Sequence, residues 1–196
     1  MKKLFTAGLA ALMLLGTGCI LTRNDYVENS EFDLELPKYQ GGNLRIGVFK
    51  NLSGSDRRLL VRRGDGQVEP LEYQRWLLSP ELLLQRCIYA AFDIVPDNAA
   101  SVPRLNAVIY RFEFDERDGK AHLAVDFTIP DYRDPVSAAG SKNKPYPRMV
   151  RGDFAVPVKK SGDMAAARAA AMSECARLAM EKLAAELNEK VDKNGK

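Results

Sequence analysis

Two periodicities alternate along this chain. In "RLNAVIYRFEF" and "AHLAVDFTIP" apolar and polar residues alternate, and Ala121, Leu123, Val125, Phe127 and Ile129 fall on one side while His122, Asp126 and Thr128 fall on the other. A period of two marks a half-buried strand, and the intervening "DERDGK" supplies a reversal, so this pair predicts a hairpin. "EFDLELP" sets Phe32, Leu34 and Leu36 against acids, and "LRIGVFKN" puts Leu44, Ile46 and Val48 on one side; both predict strands. "RRLLVRRGDGQVEPLEY" predicts two short strands joined by the glycine-rich reversal Gly64-Asp65-Gly66, and "MVRGDFAVPV" a last strand.

Elsewhere the apolar spacing lengthens to three and four. Leu83, Leu84, Cys87, Ile88, Ala91 and Phe92 form one continuous helical face. Ser79 suits its N-cap, Pro80 its first position and Glu81 the positive end of its dipole. A second helix is predicted from about Asp163 to Lys190, with Met172, Cys175, Ala176, Ala179, Met180, Leu183 and Leu187 as its stripe. Its alanine content favours helix intrinsically. Residues 131–148, "DYRDPVSAAGSKNKPYPR", hold three prolines and little apolar pattern, which predicts a long exposed loop.

The elements add up to an α+β fold: a mostly antiparallel, possibly mixed, sheet with two helices packed on one face. A parallel pairing of Leu44–Asn51 with Arg104–Phe114, bridged by the first helix, is the mixed variant. No internal repeat interrupts the chain.

The first residues change the picture. "MKKLFTAGLAALMLLGTGCI" has two lysines, an apolar run from Leu4 to Leu15 and a small-residue end before Cys19. These are the parts of a secretory signal, and the run is shorter than the roughly 20 residues a spanning helix needs. Gly16-Thr17-Gly18-Cys19 resembles the bacterial lipobox, in which the cysteine is diacylated, becomes the first residue after cleavage and is acylated on its amine; Leu15 stands four residues before the cysteine, where three is usual. The competing reading is an ordinary signal peptide ending near a cysteine. On the lipoprotein reading residues 1–18 are a signal peptide, Cys19 carries the lipid (palmitate among its acyl chains), residues 19–30 are a tether, 31–190 a single domain and 191–196 a polar tail. Several acyl chains anchor firmly where one does not.

Cleavage before Cys19 also removes Lys2 and Lys3. The 29 Lys+Arg against 26 Asp+Glu then become 27 against 26, so the mature chain is nearly neutral and its charge points to no nucleic acid. Cys87 and Cys175 sit inside helical apolar stripes, which suits two buried thiols better than a bridge.

Candidate chemistry is sparse. The one histidine, His122, alternates onto a polar strand face and reads as a surface residue. Without a spare base neither Ser-His-Asp nor Cys-His catalysis is available, and no cofactor or metal set stands out. Asp115 and Glu116, like Asp131 and Asp134, lie in turn and loop sequences where acids are ordinary. "RRGDGQVE" has neither the spacing nor the Lys-Ser/Thr of a phosphate-binding P-loop, and a strand follows it. The Arg-Gly-Asp triplets at 63–65 and 151–153 are too short to signal adhesion. The arginines of the hairpin divide between a solvated face and a binding role.

Following the lipobox, "RRLLVRRGDGQVEPLEYQRW", "SPELLLQRCIYAAF" and the late order of strand, Gly162-Asp163 and alanine-rich helix resemble the ABC-type transport auxiliary lipoprotein family. That family includes the lipoprotein of the paraquat-inducible system. The likeness covers about residues 44–187 and departs from the pattern at "NLSGSDRR". It implies a non-enzymatic docking subunit on the periplasmic side of the outer membrane. It would work with an inner-membrane ABC permease and ATPase and a periplasmic MCE (mammalian cell entry) protein that conducts phospholipid-like substrates, sometimes as a homo-oligomer. Ile20 after Cys19 gives no aspartate retention signal, which suits the outer membrane. The resemblance gives Arg62, Arg63 and Arg75 a role toward acidic or headgroup surfaces, and Tyr73 and Trp76 a role as interface anchors, with local packing as the other reading for the aromatics. Tyr132 and Tyr146 are weaker candidates. A lipoprotein of another envelope assembly, such as lipopolysaccharide export or secretion, is the alternative, and a periplasmic enzyme the third class.

Overall fold

The computed structural model describes residues 28–99, 101–132 and 146–188, so the expected signal segment and Cys19, most of the proline-rich stretch and the expected polar tail lie outside it. The strands are β1 (Ser30–Phe32), β2 (Asn43–Asn51), β3 (Arg58–Arg62), β4 (Val68–Trp76), β5 (Asp93–Ile94), β6 (Arg104–Asp115), β7 (Lys120–Tyr132) and β8 (Tyr146–Pro157). The helices are α1 (Pro80–Ala91) and α2 (Met164–Asn188).

The eight strands form one sheet, but a mixed one, not the mostly antiparallel sheet that alternation suggests. β2–β6, β3–β6, β1–β4 and β2–β5 run parallel, while β3–β4, β6–β7 and β7–β8 run antiparallel. The physical cause is the placement of α1. It carries the chain from β4 back over the sheet, so β6 re-enters alongside β2 in the same direction, as helical crossovers require of parallel neighbours. β6 takes β7 on one edge and shares the other between two strands. Arg104 to Ile109 pair with β2, and Phe114 and Asp115 pair with Val61 and Arg62 of β3. Residues 52–57 carry the chain from the first partner to the second.

Both helices lie on the same face. The inward residues of β7, Ala121 to Ile129, are buried beneath α2, whose Met172, Cys175, Ala176, Ala179, Met180 and Leu183 are equally buried. Leu83, Leu84, Cys87, Ile88 and Ala91 of α1 fill the neighbouring space over β2 and β6. Each fully buried leucine or isoleucine contributes about 1.5–3 kcal/mol, so this shared apolar layer is the main term in folding. The two thiols sit within it, free and buried, and burial pushes each up to about 12.

The caps divide. Asp163 accepts the amides of Ala165 and Ala166, both at 3.0 Å, and starts α2 as an N-cap. Ser79 occupies the N-cap of α1, yet its hydroxyl donates to the Glu81 carboxylate at 2.6 Å and leaves the backbone to Pro80. Other local expectations also shift. "EFDLELP" forms a strand only through Phe32, although Leu34 is buried. Residues 131–132 and 146–148, placed in a loop by composition, continue β7 and β8, with Tyr132 opposite Tyr146; residues 133–145 lie outside the described chain. Among the described residues no helix is long and apolar enough to cross a membrane.

Val48, expected beside Leu44 and Ile46, is 59% exposed. β2 shifts register between Ile46 and Phe49, so Phe49 turns to the core in its place. Asn106 holds the irregularity open by accepting the Val48 amide at 2.8 Å. A Cβ on Gly47 would lie 2.1 Å from that same Oδ1 and 2.9 Å from the Leu105 carbonyl. Gly47→Ala is therefore expected to cost about 2 kcal/mol, read as a lower urea midpoint. An unchanged midpoint would show that Asn106 is not needed at the shift.

Candidate functional site

The arginine-rich hairpin is where sequence and resemblance place the function. β3 and β4 pair antiparallel, and the reversal is closed by Arg63 N–H donating to Gln67 O at 2.8 Å and Gly66 N–H donating to Arg63 O at 2.9 Å. Gly66 has φ of 90°, a conformation that favours glycine.

The hairpin arginines separate into two groups. Arg62 forks onto Glu113, with Nε to Oε1 at 2.7 Å and Nη2 to Oε2 at 3.1 Å, and its third donor reaches the Gly66 carbonyl at 3.0 Å. Arg63 spans Glu69 at 2.9 Å and Glu116 at 2.6 Å. Both are struts of the fold: their donors are spent within the chain, on acids more than fifty residues away in the case of Glu113 and Glu116.

Arg62 belongs to a polar layer on the sheet face opposite the helices, whereas Arg63 shares Glu116 with Arg168 of α2, which stands 3.7 Å from it. Arg111 donates to Glu113 at 2.7 Å and lies 3.5 Å from Asp115, and Arg117 forks onto Asp115 at 2.9 and 2.6 Å. Arg151, of the second Arg-Gly-Asp triplet, forks onto Asp126 at 2.9 Å on both oxygens. Glu113, Asp115 and Asp126 are buried beneath these guanidinium groups, whose long side chains cover them. Desolvation alone would raise Glu113, but the hydrogen bonds from Arg62 and Arg111 outweigh it and hold the carboxyl below its ordinary range. The Arg117 fork holds Asp115 far below the usual carboxylate range.

His122 belongs to this layer, and the expectation of a surface histidine is corrected: it is only 7% exposed. Arg111 Nη1 stands 3.2 Å from Nδ1 and Asp118 Oδ2 stands 2.9 Å from Nε2. A guanidinium can only donate, so Nδ1 accepts and Nε2 carries the proton toward Asp118. With both nitrogens engaged, the imidazole has no free position for a nucleophile. Asp115, Asp118 and His122 do bring ligand atoms within 4.8 Å of one another. Both Asp115 oxygens, however, are taken by Arg117, and the adjacent guanidinium groups repel a cation. The chemistry of this set does not suit a metal.

Trp76 is fully buried, so of its two readings local packing under the hairpin holds and the interface anchor is corrected. Its ring meets Phe112 edge-on at 5.1 Å and stacks on Phe114 at 6.4 Å, closing the core under the hairpin. Tyr73 is 43% exposed, as an anchor needs to be. Arg75 is half-buried, and its Nε is enclosed without a hydrogen-bond partner. It stands opposite Arg58 of β3 on one side and Glu31 of β1 on the other.

Arg57 and Arg58, which sequence reasoning passed over, complete this second group. Arg57 holds Glu31 at 3.0 Å and the Trp76 carbonyl at 3.1 Å. Arg58 reaches Asp56 at 3.3 Å. The backbone amides of Arg58 and Arg57 hold Asp56 down at about 2. Asp56, Arg57, Arg58 and Arg75 line a depression of about 370 Å³. The "DRR" run was the available signal, because a strand register that returns a third arginine beside it concentrates charge. The arrangement can bind anions. With the thiols buried and raised and His122 engaged, it holds no activated nucleophile among the described residues.

No family model matches the chain, and no curated protein matches it significantly. Solved structures do. A crystal structure of an uncharacterized protein matches with a TM-score of 0.57 at 11% identity, covering 85% of this chain and all of that one. Protein XCC0632 from Xanthomonas campestris, of the DUF330 family, matches with a TM-score of 0.55 at 15% identity, covering 84% of this chain and 98% of that one. At such identities the likeness is one of fold.

Glu113 and Asp115 titrate lower in the folded chain than their ordinary values of 4.5 and 3.8, so the unfolded chain binds more protons on acidification. Their contribution is complete above those ordinary values and is lost as pH falls toward the folded ones. Urea midpoints are expected to fall between about pH 5 and pH 3. Glu113→Gln should remove part of that fall and lower the neutral-pH stability by about 2 kcal/mol, less than a fully buried pair because Arg62 and Arg111 remain 27% and 28% exposed. A variant with the wild-type midpoint and acid slope would remove Glu113 from the layer's energetics.

Proposed function

We propose that this protein is a non-enzymatic, lipid-anchored auxiliary subunit of an ABC-type, MCE-linked phospholipid transport system, held at the periplasmic side of the outer membrane through Cys19. Its part is docking: the folded region engages the periplasmic MCE-domain protein, while the permease and ATPase supply transport and energy elsewhere.

The observation that carries this reading is where the anchor meets the sheet. The chain from Cys19 enters at β1, and β1 pairs with the end of β4 at Gln74, Arg75 and Trp76. Ser30 lies eleven residue steps after Cys19, a reach of at most about 40 Å. The edge that bears Arg57, Arg58, Arg75 and exposed Tyr73 is thus tethered within one short segment of the lipid. An anchored edge with unbalanced arginine and an exposed aromatic suits a docking subunit better than an enzyme, since aromatic and arginine side chains supply most interface energy.

Two measurements test it. Cys19→Ser is expected to abolish acylation, seen as lost acyl mass, and to move the protein from the membrane to the soluble envelope fraction. A photo-crosslinking residue in place of Tyr73, in gently solubilised envelopes, is expected to capture an MCE-domain protein identified by mass spectrometry. Capture of a lipopolysaccharide-export or secretion component instead would transfer the protein to that assembly. An unlipidated Cys19 would overturn the anchor.

A further inference from the structure

We propose that Arg75, with Arg57 and Arg58, forms a binding site for a phosphate group, as carried by a phospholipid headgroup or as the free ion. Asp56 lies on Arg58 and Glu31 lies on Arg57, which leaves the Arg75 charge without an ion-paired carboxylate among the described residues. Arg75 also stands directly across the strands from Arg58. Like charges at directly opposed positions destabilise a sheet, and Glu31, opposite Arg75 on its other side, is engaged by Arg57, so an anion bound between Arg58 and Arg75 would be favourable.

The second observation is the enclosed, partnerless Nε of Arg75. Buried donors are normally satisfied, and the exception calls for a partner. The Nε and Nη edge of a guanidinium matches two oxygens of a phosphate, and Arg75 lines the depression beside that enclosed Nε. The 370 Å³ depression lined by Asp56, Arg57, Arg58 and Arg75 gives such a group room. The Asp56 carboxylate is held on the Arg57–Arg58 side, its Oδ1 accepting the Arg57 and Arg58 amides at 2.5 and 2.9 Å.

Arg62 and Arg63 do not share this role. Their forks are already filled by Glu113, Glu69 and Glu116, so a phosphate would have to displace a carboxylate there. The headgroup source rests on the lipid-anchored reading, which brings the depression close to a membrane surface; the free-ion source does not.

The lipidated full-length protein in neutral detergent provides the test. Trp76, the single tryptophan, reports locally, because its carbonyl accepts from Arg57 and it follows Arg75 in the chain. Titrations use inorganic phosphate, a short-chain phosphatidylglycerol below its micelle concentration and a glutamate-rich peptide, at matched ionic strength, with thermal midpoint as a second readout. Saturable phosphate binding is expected, weakened roughly tenfold or more by Arg75→Gln, as for a lost charge-assisted bond. Arg75→Lys keeps the charge without the fork and should bind with intermediate affinity. Arg63→Gln, which changes net charge equally, should bind as the wild type does. Tighter binding of the short-chain lipid than of phosphate assigns the headgroup; binding of phosphate alone assigns the free ion. Equal weakening in Arg63→Gln and Arg75→Gln, or binding of the acidic peptide with neither phosphate probe, overturns the site. Phosphate binding that survives in a protein whose Cys19 proves unlipidated would sink the anchored reading and leave the site standing.

Discussion

One edge of β6 serves two strands in succession, and the rest of the structure depends on that sharing. Residues 104–109 hold β2 and residues 114–115 hold β3, so the chain between them has to leave the sheet and return. That detour sets the hairpin beside the far end of β6. It brings Arg62 against Glu113 on one face and lowers Trp76 onto Phe112 and Phe114 on the other. A single pairing thus decides both the closure of the core under the hairpin and the charge layer above it.

The two faces are stabilised by different physics. Beneath the sheet, helices with small or aliphatic inward residues exclude water, and apolar burial supplies the main driving force. Above it no helix covers the central strands among the described residues, and arginine side chains take that part. Their forks satisfy Glu113, Asp115 and Asp126, whose burial without such partners would be costly. A sheet face closed by charge in this way remains polar toward solvent while its acids are hidden. Arg62 and Arg63 are spent on carboxylates in this way, which is why the three arginines at the β1–β4 edge stand out.

Much of this was legible in the residues. The helix faces were, because apolar spacing of three and four leaves few other solutions, and Leu83 to Phe92 and Met172 to Leu183 are buried as the spacing demands. The hairpins at Gly64–Gly66 and 116–119 were legible from turn chemistry. The parallel pairing of β3 with β6 was not, because it joins segments about fifty residues apart and leaves no periodic trace. Register shifts at Ile46/Phe49 and Ile109/Arg111 were invisible for a related reason: a bulge reverses which side chains face inward without altering local composition. Within the site, Cys87 and Cys175 read correctly as buried thiols. His122, Trp76, Arg62 and Arg63 were ambiguous, since alternation tells which face a residue takes and not what lies over it. Only the distant partners Glu113, Glu116, Phe112 and Arg111 resolve them.

The Arg62–Glu113 fork holds the hairpin to β6 and divides its arginines into struts and a free edge. A double-mutant cycle with Arg62→Gln and Glu113→Gln, followed by urea unfolding at neutral pH, measures that link directly. A coupling above about 1 kcal/mol is expected, within the range of contacting residues in one charge network. Coupling within about 0.3 kcal/mol of zero, as for independent sites, would contradict it and return Arg62 to the solvated face.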